Sequence, residues 1–271
     1  MKTALIQLCS GDDPSQNLKT VSALVRDAAA QGADFVVTPE VTNCVSASRK
    51  HQILVLQSEK DDQTLAAMKR LAAELGIWLL IGSLALKTDD PDGRFANRSF
   101  LISPTGAVAA TYDKMHMFDV TISDTESYRE SAGYRPGNKL VWHDAGFATI
   151  GLSICYDIRF PYLYRALAQA GAQLLAIPAA FSRTTGQAHW QPLLQARAIE
   201  TGCFVVAPAQ SGDNSKGRST YGHSMVVSPW GDVMLDAGTD PGVYIVDIDM
   251  EMVSAARRRI PSLTHDVEFE T

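Results

Sequence analysis

Three side chains of complementary chemistry each follow an apolar or β-branched run of this chain. They are Glu40, Lys114 and Cys155, and the runs before them span 35–37, 110–113 and 150–154. Ligands of α/β sheets usually bind beyond the carboxyl ends of strands, so we expect these side chains to meet in one crevice. A thiol is a nucleophile only as its thiolate, and a carboxylate base or a cationic lysine nearby helps it to ionise.

Acyl transfer is the chemistry that this set supports. Cys155 would attack a carbonyl carbon while Glu40 takes the thiol proton and returns it to the leaving amine. Lys114 would stabilise the oxyanion, and it suits that role better than histidine because it stays protonated at neutral pH. Backbone N–H groups after Cys155 would supply a second donor to the oxyanion.

Spacing alone leaves two alternatives open. A cysteine at a strand end is often a small buried hydrophobe, and a glutamate or lysine after a strand is often a solvated loop residue. Cys44 lies four residues after Glu40 and is a rival nucleophile that spacing does not exclude. Cys9 and Cys203 have the settings of core residues.

The periodicity of the chain alternates between strands and helices. Strands are expected at 4–6, 35–37, 78–81, 97–102, 108–112, 140–142, 149–154, 174–177, 204–207, 225–227, 233–235 and 243–246. Helices are expected after Asp12-Asp13-Pro14, at 65–75, from Pro161 to 170 and at 189–201. The stretch 114–138 has little periodicity and is interpreted as an ordered functional loop. With no linker or repeat, residues 1–271 are predicted to form one α/β domain with a mixed sheet.

Composition excludes several classes of protein. The 271 residues carry a net charge of -6 without a long basic run, which gives no reason to expect nucleic acid as a partner. No apolar run is long enough for a membrane span, and no signal peptide is expected. The four cysteines are far apart and contain no CxxC pair, so neither a zinc site nor a disulfide framework is expected. We therefore expect a cytoplasmic protein in a reducing compartment.

Three segments resemble the signature blocks of the nitrilase superfamily of carbon-nitrogen hydrolases. They are Thr38-Pro39-Glu40, Tyr112-Asp113-Lys114-Met115-His116-Met117-Phe118-Asp119-Val120, and 151–161 around Cys155-Tyr156-Asp157. The resemblance covers nearly the whole chain. It implies a four-layer αββα sandwich, no metal or organic cofactor, and assembly as a homodimer or higher homo-oligomer.

The same resemblance implies roles for four residues. It makes Cys155 the nucleophile, Glu40 the base and Lys114 the stabiliser of the oxyanion. Many members also use a second glutamate in the loop before the nucleophile strand, and Glu130 matches it here. A second carboxylate would hold the lysine and orient the attacking water.

The residues after the nucleophile favour an amidase. True nitrilases commonly follow their cysteine with Trp-Glu, whereas Tyr156-Asp157 follows it here. The motifs look most similar to the amidase branch that hydrolyses deaminated glutathione. The alternatives are a branch acting on 2-oxoglutaramate, or on other carboxylate-bearing amides or N-carbamoyl amino acids. Because such substrates carry carboxylates, we assign substrate binding to Tyr156, Arg159 and Arg183.

Replacement of the proposed nucleophile gives a direct test of these assignments. Cys155→Ala is expected to abolish amide hydrolysis while leaving the fold intact, because it removes only the attacking sulfur. Amidase assays and circular dichroism of the purified variant measure both properties. Full activity in this variant would mean that Cys44 is the nucleophile, or that the protein is not a cysteine-dependent amidase.

Overall fold

Two six-stranded sheets lie face to face between two layers of helices. The structure is a computed structural model that describes residues 1–124, 126–215 and 218–270. The first sheet has the order β16 (Gly242–Asp247), β1 (Lys2–Gln7), β2 (Phe35–Val37), β3 (Trp78–Leu86), β4 (Ala96–Ile102) and β5 (Val108–Asp113). The second has the order β15 (Val233–Asp236), β14 (Met225–Val227), β11 (Phe204–Ala207), β10 (Leu174–Ala176), β9 (Thr149–Leu152) and β8 (Trp142–Asp144).

Both sheets are mixed, as the sequence predicts. In the first sheet β1, β2 and β3 pair in parallel, and β16, β4 and β5 join as antiparallel strands. In the second sheet β9, β10 and β11 are parallel, with β8, β14 and β15 antiparallel. The parallel strands at the centre of each sheet point their carboxyl ends toward the same region, where the functional side chains lie.

Six helices are present in the described part of the chain. They are α1 (Pro14–Ala30), α2 (Arg49–Val55), α3 (Gln63–Leu75), α4 (Pro161–Gln169), α5 (Arg183–Thr201) and α6 (Glu251–Arg259). The Asp13 side chain caps α1 by accepting the N–H groups of Ser15 and Gln16, and α3 ends at Gly76 with a φ of 66°. Within the described ranges, no helix combines the length and apolar character needed to cross a bilayer.

The hydrophobic core explains the order of the layers. Val36 and Leu79 of the first sheet cluster with α1 and α3. Their neighbours Val37 and Leu80 point to the other face and cluster with the second sheet, in a core that continues into α4 and α5. Because successive strand residues face opposite sides, each sheet buries both faces. The predicted four-layer αββα sandwich is therefore confirmed.

The stretch 114–138, expected to be an ordered loop, contains regular structure that the periodicity did not reveal. A hairpin of β6 (Asp119–Ser123) and β7 (Glu126–Arg129) lies inside it, followed by a 3₁₀ turn at Glu130–Ala132. The residues of both strands alternate between half-buried and exposed, and none is fully buried. Such strands carry little hydrophobic signal, so periodicity could not detect them.

Other elements also differ from the prediction. Helix α5 begins at Arg183 instead of 189, because the Ser182 hydroxyl caps it by accepting the N–H of Thr185. Strand β8 is Trp142–Asp144, displaced from the predicted 140–142. Helices α2 and α6 and a second hairpin, β12 (Ser211–Ser215) with β13 (Arg218–Tyr221), are additional to the expected elements. All are short elements in which polar residues dominate the sequence.

Gly82 in β3 allows a close approach of backbone beside the strand end that carries Glu40. A Cβ at this position would lie 2.0 Å from the Thr38 carbonyl oxygen and 2.5 Å from the Cβ of Pro178. We expect Gly82→Ala to lower the free energy of unfolding by about 3 kcal/mol. Gly242→Ala in β16 is the control, because its nearest atom would be 3.7 Å away. Urea unfolding measures both, and equal stability of the two variants would contradict this packing.

Candidate active site

One cavity of about 310 Å³ brings together most of the residues that the sequence singles out. Glu40, Lys114, Glu130, Cys155 and Tyr156 all line it. Its size falls in the usual range for small-molecule sites. The cavity opens where strands of both sheets end, which is the position expected from the sequence.

Lys114 is buried between two carboxylates. Its Nζ lies 2.9 Å from Glu40 Oε1 and 2.9 Å from both carboxylate oxygens of Glu130. The ammonium and the Glu40 carboxylate are almost fully removed from solvent. Buried charges are tolerated only when they are paired and hydrogen-bonded, and this three-membered ion cluster satisfies that condition.

Further donors hold the two carboxylates in place. Asn97 Nδ2 donates to Glu40 Oε1 at 2.9 Å, and the Ala180 N–H donates to Glu40 Oε2 at 2.9 Å. The N–H of Phe118 donates to Glu130 Oε2 at 2.6 Å. Each carboxylate is thus oriented by a backbone amide as well as by the lysine. Charge-assisted bonds of this kind are the stronger class of protein hydrogen bonds.

Cys155 sits at a sharp turn after β9. Its φ is 50°, a left-handed conformation that is uncommon for a non-glycine residue, and it opens a 3₁₀ turn that runs to Arg159. The Cys155 N–H donates to the Pro178 carbonyl at 2.9 Å. Strain of this kind costs about 1–3 kcal/mol and persists only where the surroundings enforce it.

Asp157 is the residue that enforces this turn. Its carboxylate is fully buried and accepts the N–H of Ile154 at 2.8 Å and the hydroxyl of Tyr112 at 2.7 Å. The N–H of His116 also donates to it at 3.0 Å. Since Tyr112 and His116 flank Lys114 in sequence, Asp157 ties the lysine segment directly to the cysteine turn.

The electrostatics favour a proton on sulfur and a charge on the acid. Burial raises the pKa of the Cys155 thiol well above its usual value, and the Glu40 charge adds to the rise. Burial opposes the charge on Lys114, but Glu130 and Glu40 hold its pKa well above the ordinary value. Burial likewise opposes ionisation of Glu40, yet the Lys114 ammonium keeps its pKa below normal. A protonated thiol therefore shares the cavity with a charged carboxylate and a charged ammonium.

Cys44 lines the same cavity but lacks these partners. Burial, together with the charges of Asp12 and Asp13, raises the pKa of its thiol to about 12. Its sulfur contacts the Asp12 carbonyl. Nearby negative charges disfavour its thiolate, and the Lys114 ammonium is held by Glu40 and Glu130 instead, so Cys44 is the weaker candidate for the nucleophile.

The two arginines assigned to substrate do not line the cavity. Arg159 lies 3.2 Å from His189 Nδ1 and stacks near the ring of Phe181. Arg183 is exposed and pairs with Asp213 at 3.2 Å. The arginines on the cavity wall are instead Arg49, Arg129 and Arg218. Their place on the wall depends on hairpins and a short helix that periodicity did not reveal.

Asn97 is a site residue that sequence reasoning missed. It is buried in β4 and contacts both glutamates, with Nδ2 3.4 Å from Glu130 Oε1. The signal available was an amide side chain inside an otherwise buried strand, since a buried amide needs hydrogen-bond partners. Within the described ranges, no group of three or more His, Cys, Asp or Glu side chains is arranged to hold a metal ion.

Removing the central cation tests the ion cluster. Lys114→Met leaves buried carboxylates unpaired, so we expect a loss of about 3–5 kcal/mol in unfolding free energy at neutral to alkaline pH. In the folded wild type the pKa of Glu40 lies below its unfolded value of about 4.3. The ionised carboxylate therefore stabilises the fold above that unfolded value, and this stabilisation is lost as pH falls through the folded pKa. Without the cation, burial raises that pKa, so stability is instead lost as pH rises.

The difference between wild type and Lys114→Met should therefore be larger at about pH 8 than at about pH 5. Chemical denaturation at both pH values measures it, with Lys69→Met on the exposed face of α3 as the control. A difference that is independent of pH would contradict the ion cluster.

Comparison with known proteins agrees with this geometry. A family model described as carbon-nitrogen hydrolase matches residues 2–258. The chain is 39% identical to the deaminated glutathione amidase of Synechocystis sp. (strain PCC 6803 / GT-S) over 266 residues, covering 97% of each protein. It is 42% identical to the deaminated glutathione amidase of Homo sapiens over 267 residues, covering 97% of this chain and 81% of the human protein.

Among solved structures, the C. elegans NitFhit protein matches with a TM-score of 0.91 and 33% identity. The match covers 98% of this chain, which spans 64% of the length of that protein. The family model extends over nearly the whole chain, including every residue of the ion cluster and the cysteine turn, and each of the two relatives matches 97% of the chain. The chain therefore belongs to the carbon-nitrogen hydrolase family.

Proposed function

We propose that this protein is a cysteine-dependent amidase that hydrolyses deaminated glutathione to 2-oxoglutarate and cysteinylglycine. The observation that carries the proposal is the buried Lys114, which joins Glu40 and Glu130 in the cavity that holds Cys155. The substrate is suggested by relatives at 39% and 42% identity that are deaminated glutathione amidases. Removal of a deaminated by-product of glutathione makes this a metabolite-repair reaction.

Acylation begins with proton transfer from sulfur to carboxylate. Glu40 takes the proton of Cys155 as the sulfur attacks the amide carbon, which forms a C–S bond and an oxyanion. Lys114 donates to this oxyanion, with a backbone N–H after Cys155 as a second donor. The lysine is already charged and held in place, so little reorganisation is needed when charge develops on oxygen.

Collapse of the tetrahedral intermediate releases the first product. Glu40 returns its proton to the leaving nitrogen as the C–N bond breaks, and cysteinylglycine departs as a neutral amine. The 2-oxoglutaryl group stays on Cys155 as a thioester. Because the proton moves from thiol to amine through Glu40, the carboxylate is free again for the second half-reaction.

Water completes the cycle. Glu40 takes a proton from the attacking water, and Lys114 again stabilises the oxyanion. Glu130 holds the ammonium through both of its oxygens and helps to orient the water. Breakage of the C–S bond releases 2-oxoglutarate, and the proton on Glu40 returns to the Cys155 sulfur.

The proposed assembly and compartment follow from other features. Ile199, Trp230 and Ile260 are exposed apolar side chains that line a shallow pocket between α5 and α6. We propose that this face takes part in a homodimer or larger homo-oligomer, because exposed apolar patches commonly mark interfaces. The four free cysteines suit a reducing compartment, which would keep the Cys155 thiol usable, and we therefore propose a cytoplasmic enzyme.

Substrate preference tests the proposed function directly. We expect kcat/KM to be higher for deaminated glutathione than for 2-oxoglutaramate, which shares the acyl group but releases only ammonia. Release of 2-oxoglutarate from each substrate by purified protein is the measurement, with Cys155→Ala as the blank. A preference for 2-oxoglutaramate, or for nitriles or N-carbamoyl amino acids in the same assay, would reject the proposed substrate.

A further inference from the structure

Arg218 is a half-buried cation on the wall of the active-site cavity. It begins strand β13, and the next residues of that strand reach the start of α5 through a bridge between Thr220 and Ser182. Ser182 also lines the cavity, close to Ala180, whose N–H donates to Glu40. The hairpin therefore brings a guanidinium to the cavity from outside the catalytic cluster.

The other cations of the cavity already have partners. Lys114 is held by its two carboxylates. The Arg49 guanidinium donates to the carbonyls of Gly133 at 2.6 Å and Gly93 at 2.5 Å, and it lies over the ring of Phe95. These groups have little capacity left for an added anion.

Arg129 and Arg218 are the remaining arginines of the cavity wall, and only the first lies beside a carboxylate of its own hairpin. Arg129 is exposed and is the register partner of Asp119 in the β6–β7 hairpin. Hydrogen bonds from Ser131 lower the pKa of Asp119 most, burial raises it, and the Arg129 charge lowers it further. The backbone of Arg218 pairs with Ser215 in the β12–β13 hairpin, but the Arg218 guanidinium has no hydrogen bond or ion pair with any residue of 1–124, 126–214 and 218–270. A half-buried guanidinium beside a cavity has lost part of its hydration, and an anion in the cavity would compensate for that loss.

The charge of Arg218 acts on the side of the cavity that holds the base. Burial raises the pKa of Glu40, while Lys114 lowers it and the Arg218 charge adds a smaller lowering. It also opposes the rise in the pKa of Tyr128 and Tyr134, which burial chiefly causes. In the proposed reaction Glu40 protonates the leaving amine, so the leaving group occupies this side.

We infer that Arg218 binds the carboxylate at the glycine end of the leaving cysteinylglycine, and that it selects substrates with an anionic leaving group. This inference rests on the proposed function. Deaminated glutathione carries one carboxylate on its acyl half and one on its leaving half, whereas 2-oxoglutaramate carries only the first. A guanidinium suits this task because its fork of donors matches a carboxylate in two parallel hydrogen bonds.

Three substrates and three variants separate this role from others. The substrates are deaminated glutathione, its analogue with a terminal glycine amide in place of the carboxylate, and 2-oxoglutaramate. The variants are Arg218→Met, Arg183→Met as the competing assignment, and Arg26→Met, an exposed arginine of α1 that pairs with Glu74. Release of 2-oxoglutarate gives kcat and KM for every combination.

The expected result is selective. Arg218→Met should raise the KM for deaminated glutathione about 10- to 100-fold, the usual range for a hydrogen bond to a charged group. Wild type should show the same loss on the glycine-amide analogue, and Arg218→Met should lose nothing further on it. Activity on 2-oxoglutaramate should change by less than about two-fold in this variant, and Arg26→Met should resemble wild type throughout.

Other outcomes overturn the inference in distinguishable ways. Equal losses on deaminated glutathione and 2-oxoglutaramate would mean that Arg218 acts on the acyl half or on the fold. No loss on either, or a selective loss in Arg183→Met instead, would remove Arg218 from substrate recognition. A wild-type enzyme that hydrolyses 2-oxoglutaramate but not deaminated glutathione would reject the proposed function itself.

Discussion

The structure depends on burial of one lysine charge between two glutamates. Lys114, Glu40 and Glu130 come from three separate segments, and none of them would be stable as a buried ion alone. The requirement for mutual neutralisation therefore fixes the relative positions of the ends of β2, β5 and β7. The same arrangement supplies a base with a depressed pKa and a cation that stays charged, beside a thiol that burial keeps protonated.

The sandwich makes this cluster possible because both sheets contribute to one cavity. The first sheet delivers the acid and the lysine, and the second delivers Cys155 at a left-handed turn. Val41, the residue after Glu40, is also left-handed with a φ of 47°, although it is β-branched. Such backbone costs free energy that the surrounding core must offset, and Asp157 contributes by bonding both the lysine segment and the cysteine turn.

Much of the fold and part of the site could be predicted from sequence. The strands before Glu40 and Cys155 are largely buried and apolar, so periodicity located their ends, and with them two residues of the crevice. The strand before Lys114 buries only Tyr112, and its β-branched and aromatic residues were enough to place its end. Glu130 came only from the resemblance to a family, because it follows a hairpin whose strands have no buried face. Arg218 could not be found, because its place on the cavity wall results from long-range packing of a polar hairpin.

The central claim is that Cys155 carries the acyl group through a thioester. Its most direct test is mass spectrometry of enzyme quenched in acid during turnover of deaminated glutathione, followed by digestion and mapping of the modified peptide. The account predicts a 2-oxoglutaryl group on the peptide that contains Cys155. Modification of the peptide that contains Cys44 instead, or steady turnover with no acylated cysteine under any quench time, would contradict it.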